Sequence, residues 1–463
     1  MNRSTFVTIG TDVLTKKPFK IDISKHTIIQ GGSGVGKSTL IANICIQIIW
    51  KGGGLCLIDP HGDVVDTILR YFPRSRMRDL ILWDPSQSRT PPFNPLYFKN
   101  PEDLQLVKEA LHSLLKYLAG DAWGPETDRV IVNALNAITE YFPIATVVHL
   151  FRFLADDEFR EFLLSRTKDP TLRMFAEQYD KLGDRDQMAK FSPAINKVGK
   201  LLHSAILSSL AQLDSLEPLE IMNRQLILIC RFSKGRLGEE VAQVLGSLVI
   251  ALFAIAALQR ESQEIRPDFP IIVDEIPTFI GAGGPDTILA EGRKYGTSLV
   301  SGFQGLYQME SLAMDFLANA SNQIVLNSSG QDAKLIAENW GSDTRANEIV
   351  KLKRYTFIAR KFENDNPKIR LVTSARPMRP RRLLADPEKL IKQSLDRWSK
   401  ERSESERKVF KFLTSPVPKP KPKRKPKRPN KSKLPKNKKR TKKEIAEMPG
   451  SGTPNIDRSH SKD

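Results

Sequence analysis

The sequence predicts an α/β protein on a mostly parallel sheet, with an all-helical insertion domain and a disordered basic C-terminal tail. Three observations lead there. Short apolar runs alternate with helical stretches in residues 27–84 and again in 226–359, the βαβ rhythm that builds parallel sheets with right-handed crossovers. Between these regions apolar residues recur at spacings of three and four, as in Leu104, Val107, Leu111, Leu114, Leu115 and Leu118, the period of helices with one buried face. The last 48 residues open with prolines interleaved with lysines and arginines, from Pro416 to Lys436, a composition that builds no core and repels itself.

Taken in order, residues 1–98 form a hairpin and the first part of the core. Apolar–polar alternation with a turn at Thr15–Pro18 predicts a β-hairpin leading into a strand at Thr27–Gln30. A helix over Lys37–Trp50, a strand at Leu55–Asp59, a helix over Val64–Tyr71 and a strand at Leu80–Asp84 follow. Residues 99–215 are the helical insertion, with helical spacing returning at Phe159–Leu164 and Leu201–Leu213. Residues 216–375 resume the core, with strands expected at Leu226–Cys230, Ile271–Asp274, Ser298–Phe303, Gln323–Leu326 and Tyr355–Ala359 around a long helix at Glu239–Gln259. Residues 376–415 loosen into an Arg- and Pro-rich stretch and then a polar helix around Pro387–Lys411; residues 416–463 are the tail.

Composition bounds the function class. The 463 residues are 40% hydrophobic and 27% charged, ordinary for a globular chain with a large core. The net charge of +19 is unevenly placed, because residues 416–463 hold 17 Lys and Arg against 4 Asp and Glu. Such an excess favours polyanions, either nucleic acid or an anionic membrane surface. Cys45, Cys56 and Cys230 show no metal spacing and read as core hydrophobes in a reducing compartment. The longest apolar run, Leu245–Leu258, falls short of the ~20 residues a membrane-spanning helix needs, so no transmembrane segment is expected.

One motif carries specific chemistry. Gly31, Gly32, Ser33, Gly34, Val35, Gly36, Lys37 and Ser38 match G-x-x-x-x-G-K-S/T at every position, with Thr39 next, after a predicted strand and before a predicted helix. Glycines let the backbone curl so that its N–H groups face a phosphate, and the following helix adds its positive end. Lys37 supplies a mobile cation for the β- and γ-phosphates of ATP, and Ser38 a hydroxyl for Mg²⁺. These residues predict a nucleotide loop of a RecA-like P-loop NTPase core.

A second motif supplies carboxylates. Ile271–Val273 is an apolar strand ending in Asp274 and Glu275. Ligands of parallel sheets collect at the C-terminal ends of the strands. Asp274 is expected to hold Mg²⁺ through water and Glu275 to polarise the attacking water as general base. Asp59 also ends an apolar strand, and with His61 is expected near the nucleotide in an unassigned role. Gln304, after the strand Ser298–Phe303, is placed to sense the γ-phosphate.

Four stretches together, GGSGVGKST, LIDPHGDVVDTIL, SKGRLGEEVAQVLGSLV and IIVDE with LAEGRKYGTSLVSGFQ, resemble the HerA–FtsK superfamily of ring-forming DNA-pumping ATPases. Over residues 5–375 the chain is most similar to the soluble core of conjugative coupling proteins of type IV secretion systems. The resemblance implies a homo-hexameric ring with ATP between subunits and single- or double-stranded DNA in its channel. It implies Glu275 as the hydrolytic carboxylate, Gln304 as the sensor, and a cation from one subunit completing its neighbour's site, for which Arg236 and Arg293 are the candidates. It further implies relaxase or secretion-system partners; the N-terminal membrane helices that coupling proteins often carry find no match in this sequence, so a cytoplasmic body is expected, with partners as the route by which it is recruited to the inner face of the membrane.

Fifteen Lys and Arg lie between Lys419 and Lys443. Such a tail binds nucleic acid without sequence preference and with steep salt dependence, but offers no aromatic residue for base stacking. Two functional readings stay open: a DNA-translocating ATPase, and a nucleotide-dependent switch that recruits a secretion or DNA-processing partner without pumping DNA.

Overall fold

A computed structural model describes residues 5–280, 284–341, 345–363, 366–381 and 383–417. The tail expected to be disordered, 416–463, lies outside them beyond Val417. The strands are β1 (Phe6–Asp12), β2 (Pro18–Asp22), β3 (Thr27–Gln30), β4 (Leu55–Asp59), β5 (Leu80–Trp83), β6 (Arg89–Thr90), β7 (Ile227–Arg231), β8 (Phe269–Val273), β9 (Thr297–Phe303), β10 (Asn322–Val325), β11 (Thr356–Glu363), β12 (Asn366–Ser374) and β13 (Lys400–Glu401). Eleven of them make one sheet in the order β2-β1-β12-β11-β10-β3-β9-β8-β4-β7-β5. From β10 to β5 every neighbouring pair is parallel; β1, β2, β11 and β12 form an antiparallel flange.

The parallel strands are buried along almost their whole length because both faces are covered. One face buries Ile29, Leu57 and Ile272 against Ile41, Ile44 and Val65 of the helices Lys37–Trp50 and Asp63–Arg70. The other buries Ile28, Ile58 and Val273 in a cluster that runs on through Leu111, Leu135, Leu150 and Phe191 of the helical segment. That segment, Leu104–Leu210, contains helices at Leu104–Ala119, Pro125–Tyr141, Val147–Ala155, Asp157–Leu164, Pro170–Asp180, Asp184–Gly199 and Ser204–Leu210. Trp83 of β5 lies parallel to the Phe93 ring at 4.4 Å and edge-on to Phe232 at 5.3 Å, and Phe93 N donates to Ser209 O at 3.0 Å, which ties the helical segment to the sheet. Such aromatic pairs add ~0.5–1.5 kcal/mol each beyond the area they bury. The helix Glu239–Gln259 is apolar enough to cross a membrane by length and composition, but 78% of its most apolar window is buried inside the protein. Cys45, Cys56 and Cys230 are free and fully buried, as expected for core residues.

Two expectations need correction. The polar helix around Pro387–Lys411 is two helices, Pro387–Trp398 and Arg402–Thr414, separated where β13 pairs with β6. Both are tied to the body. Ser394 Oγ accepts from Leu82 N at 2.8 Å and donates to Leu80 O at 3.0 Å, so the first helix caps the outer strand β5. Arg152 donates to the carbonyls of Phe412 and Ser415 at 2.5 and 2.6 Å, which holds the second. The strand expected at Tyr355–Ala359 extends to Glu363 and pairs with β12, which the sequence reading did not include.

Burial also sets an acid limit. The His26 ring is 1% exposed, its Nδ1 accepts from Leu299 N at 3.0 Å, and its Nε2 has no partner among the described residues. Desolvation, with the nearby Arg293 charge, pulls its pKa down to about 4. The folded protein therefore holds the ring neutral while the unfolded chain protonates near the ordinary value of about 6.5. Stability is full above pH 6.5 and falls as pH drops towards 4, at about 1.4 kcal/mol per unit for this group. His26→Asn keeps an acceptor for Leu299 N and is expected to flatten that part of the curve in denaturant titrations between pH 7 and pH 4. An unchanged slope would remove His26 as the cause.

Candidate active site

The strands β3, β9, β8, β4 and β7 lie side by side and parallel. Their C-terminal ends, and the loops that leave them, therefore share one edge of the sheet. The loop after β3 carries Gly31–Ser38; β8 delivers Asp274 and Glu275, β9 delivers Gln304, and β4 ends in Asp59.

The loop is shaped by glycine. Gly34 and Gly36 have φ of 71° and 114°, in the left-handed region that favours glycine. Gly31 N donates to Phe303 O at 3.2 Å and Gly32 N to Asn327 O at 2.9 Å, which fixes the loop between β9 and β10. Ser33 and Gly34 at the crest are exposed, Val35 and Thr39 half-buried. Lys37 is buried, and its Nζ donates to the carbonyls of Gly31 at 2.7 Å and Gly32 at 2.9 Å. Burial pushes its pKa below the ordinary value, while the Glu275 and Asp274 carboxylates oppose that shift.

Ser38 Oγ donates to Asp274 Oδ2 at 3.0 Å, so the two residues expected to share a metal are already in contact. Asp274 is 3% exposed. Burial, and the Asp59 charge behind it, raise its pKa to about 6 against the Ser38 hydrogen bond. A hydroxyl and a carboxylate with a raised proton affinity suit a hard cation such as Mg²⁺, which keeps several waters and needs few protein ligands. No cluster of three His, Cys, Asp or Glu side chains suited to a metal occurs among the described residues.

Glu275 stands beyond the strand end with φ 64° and ψ 60°. A non-glycine residue held there stores strain of ~1–3 kcal/mol, a cost that concentrates at functional positions. Gln304 Nε2 donates to Glu275 Oε2 at 3.4 Å across β9 and β8. The two side chains thus face each other at the strand ends beside the loop.

Asp59 behaves differently. Its Oδ1 accepts from His61 N at 2.9 Å and Gly62 N at 2.8 Å, its Oδ2 from Val65 N at 3.1 Å, and the residue is 0% exposed. Both oxygens are spent on the turn into the helix Asp63–Arg70. Asp59 acts on the site through its charge on Asp274. Arg231, after β7, pairs with Asp66 and lies 3.9 Å from Asp84.

The two arginines do not join this group. Arg236 is exposed at the same sheet edge, in the short helix after β7, beyond β8 and β4 from the loop. Arg293 is exposed just before β9, at the opposite end of the strands.

Two contributors escaped the sequence reading. Gly302 is the residue of β9 facing Asp274: a Cβ there would stand 3.1 Å from Asp274 Oδ1 and 3.0 Å from Ile41 Cδ1. A lone glycine in an apolar strand marks such a close approach, and was the available signal. Asn327, which receives Gly32 N on its carbonyl, had none.

A family model for the type IV secretion-system coupling protein DNA-binding domain matches residues 16–352. No curated protein matches. Among solved structures, the bacterial conjugative coupling protein TrwBdeltaN70 in its unbound monoclinic form aligns with a TM-score of 0.61 at 17% identity, over 81% of this chain and 88% of that one. The plasmid coupling protein TrwB in complex with the non-hydrolysable ATP analogue ADPNP gives 0.61 at 17%, over 81% and 90%. VirB4 of Thermoanaerobacter pseudethanolicus gives 0.58 at 15%, over 81% and 98%. At these identities the likeness establishes a shared α/β fold.

Proposed function

Because the chain belongs to the family of type IV secretion-system coupling protein DNA-binding domains, we propose that it is an ATP-hydrolysing motor that moves DNA through a hexameric ring in conjugative transfer or type IV secretion. The observation that carries the hydrolytic part is the meeting of Ser38 with Asp274 at 3.0 Å and of Gln304 with Glu275 at 3.4 Å around one phosphate loop. The complex of the similarly folded TrwB with ADPNP supports a nucleotide at this loop.

The chain's own residues divide the work. The loop N–H groups from Gly31 to Thr39 bind the phosphates, and Lys37 leaves its two carbonyls to meet the β- and γ-phosphate oxygens. Ser38 and Asp274 would hold Mg²⁺, which supplies charge neutralisation across the phosphates when bound. Glu275 orients and deprotonates water at Oε2, and Gln304 positions that carboxylate and responds to the γ-phosphate. Arg236 or Arg293 reaches the neighbouring subunit's site in the ring. Arg293 stands at the sheet end away from its own loop, which suits action in trans. The segment 99–215 forms the all-helical lobe of the subunit, and relaxase or secretion-system proteins are its proposed partners.

The test is steady-state ATPase activity with single- and double-stranded DNA at low salt, for wild type and Lys37→Ala. DNA is expected to raise the rate several-fold, and Lys37→Ala to abolish it. A measurable rate that ignores both DNA forms would remove the translocase reading and leave a partner-driven switch.

A further inference from the structure

The phosphate loop has two flanks. One is taken by β9 and β8, with Gln304, Asp274 and Glu275. The other is formed by β10 and the turn that enters β11. A nucleotide whose terminal phosphates face the carboxylates must send its ribose and base away from them, towards the second flank. This inference rests on the nucleotide-site reading above.

That flank is built to the loop. Asn327 accepts from Gly32 N at 2.9 Å through its carbonyl, and its side-chain amide donates to the carbonyls of Val350 at 2.7 Å and Leu352 at 3.2 Å. One residue therefore ties the turn 350–355 to the phosphate loop. The turn closes on itself where Thr356 N donates to Lys353 O at 3.1 Å, and on β12 where Ser374 N donates to Tyr355 O at 2.8 Å.

At its end stands Tyr355. Its φ is 63°, unusual for a bulky residue, and the side chain is 62% exposed. Its Cδ1 lies 3.8 Å from the point where a Cβ on Gly36 would stand. A large aromatic ring is thus held against the loop, in a costly backbone conformation, without being buried in the core. Strain of this kind persists where the surroundings impose it, and here they aim the ring beside the phosphate cradle.

We propose that Tyr355 is the base platform of the nucleotide site, its ring stacking on the nucleobase of the nucleotide held by Gly31–Ser38. A ring face stacks on any base and reads no donor–acceptor pattern. Adenine and guanine nucleotides should therefore bind about equally, and ahead of cytosine nucleotides, whose single ring overlaps less.

The experiment measures binding of ADP, GDP, CDP and inorganic pyrophosphate, each with Mg²⁺, to the full chain as wild type, Tyr355→Ala, Tyr355→Phe and Lys37→Ala. Tyr355→Ala is expected to weaken ADP and GDP about tenfold and to leave pyrophosphate within about twofold. Tyr355→Phe should keep wild-type values. If Tyr355→Ala leaves ADP unchanged, or weakens pyrophosphate as much as ADP, Tyr355 is not a base platform. If Lys37→Ala leaves ADP binding intact, the nucleotide site itself is misplaced, a separate failure whatever Tyr355 does.

Discussion

Glu275→Gln is expected to lower ATP turnover by roughly 10²–10⁴, the range a general base contributes, while nucleotide affinity stays within a few-fold. The substitution keeps the size of the side chain and an oxygen that can accept the Gln304 amide hydrogen bond seen at 3.4 Å. It removes the group able to take a proton from water. Lys37, Ser38, Asp274 and the glycine-shaped loop are untouched, so binding has no reason to fail. Single-turnover hydrolysis measured beside equilibrium nucleotide binding separates the two. Turnover near wild type would show that another group orients the water, and loss of binding together with turnover would mean that Glu275 shapes the loop.

Gly302→Val should be nearly as damaging, by a different route. A Cβ at this position would meet Ile41 Cδ1 at 3.0 Å, Asp274 Oδ1 at 3.1 Å and Glu275 N at 3.7 Å. The first two contacts are tight, and the two further methyls of valine have no room between β9 and the helix Lys37–Trp50. Overpacking of this kind costs ~1–3 kcal/mol, and here it falls on the carboxylate that meets Ser38. Turnover is expected to drop by about 10² with a raised Mg²⁺ requirement, and Gly302→Ala to show a smaller change in the same direction. A Mg²⁺ titration of the ATPase with a parallel thermal melt reads both. Wild-type Mg²⁺ dependence in Gly302→Val would mean that Asp274 is free to move.

Much of this site was legible because its parts are local. The loop from Gly31 to Ser38 is one motif between a strand and a helix, and the helix Lys37–Trp50 was read to its observed ends. Asp59 shows where local reading stops. It ends an apolar strand just as Asp274 does, yet its oxygens are filled by the N–H groups of His61, Gly62 and Val65. Three residues after Asp274 stands Pro277, which has no N–H to offer where Gly62 supplies one to Asp59. That difference was in the sequence, but weighing it required knowing that the chain turns back there.

Other parts depend on distant contacts. β12 has mostly exposed or half-buried residues, and its place comes from pairing with β11 and β1. The break between the last two helices follows from β13 meeting β6, far earlier in the chain. Tyr355 gave no signal at all, because its relation to Gly36 exists only once β11 lies beside β10.

The contact of Lys37 with the carbonyls of Gly31 and Gly32 makes the lysine an internal strut of the loop. The ammonium sits beside two acids whose mutual repulsion it relieves, and it is already solvated by oxygens of its own loop. Removing the ammonium leaves both carbonyls without that donor. Lys37→Ala therefore takes a brace from the backbone of the loop as well as a cation from the site, and a variant that keeps a donor at this position separates the two.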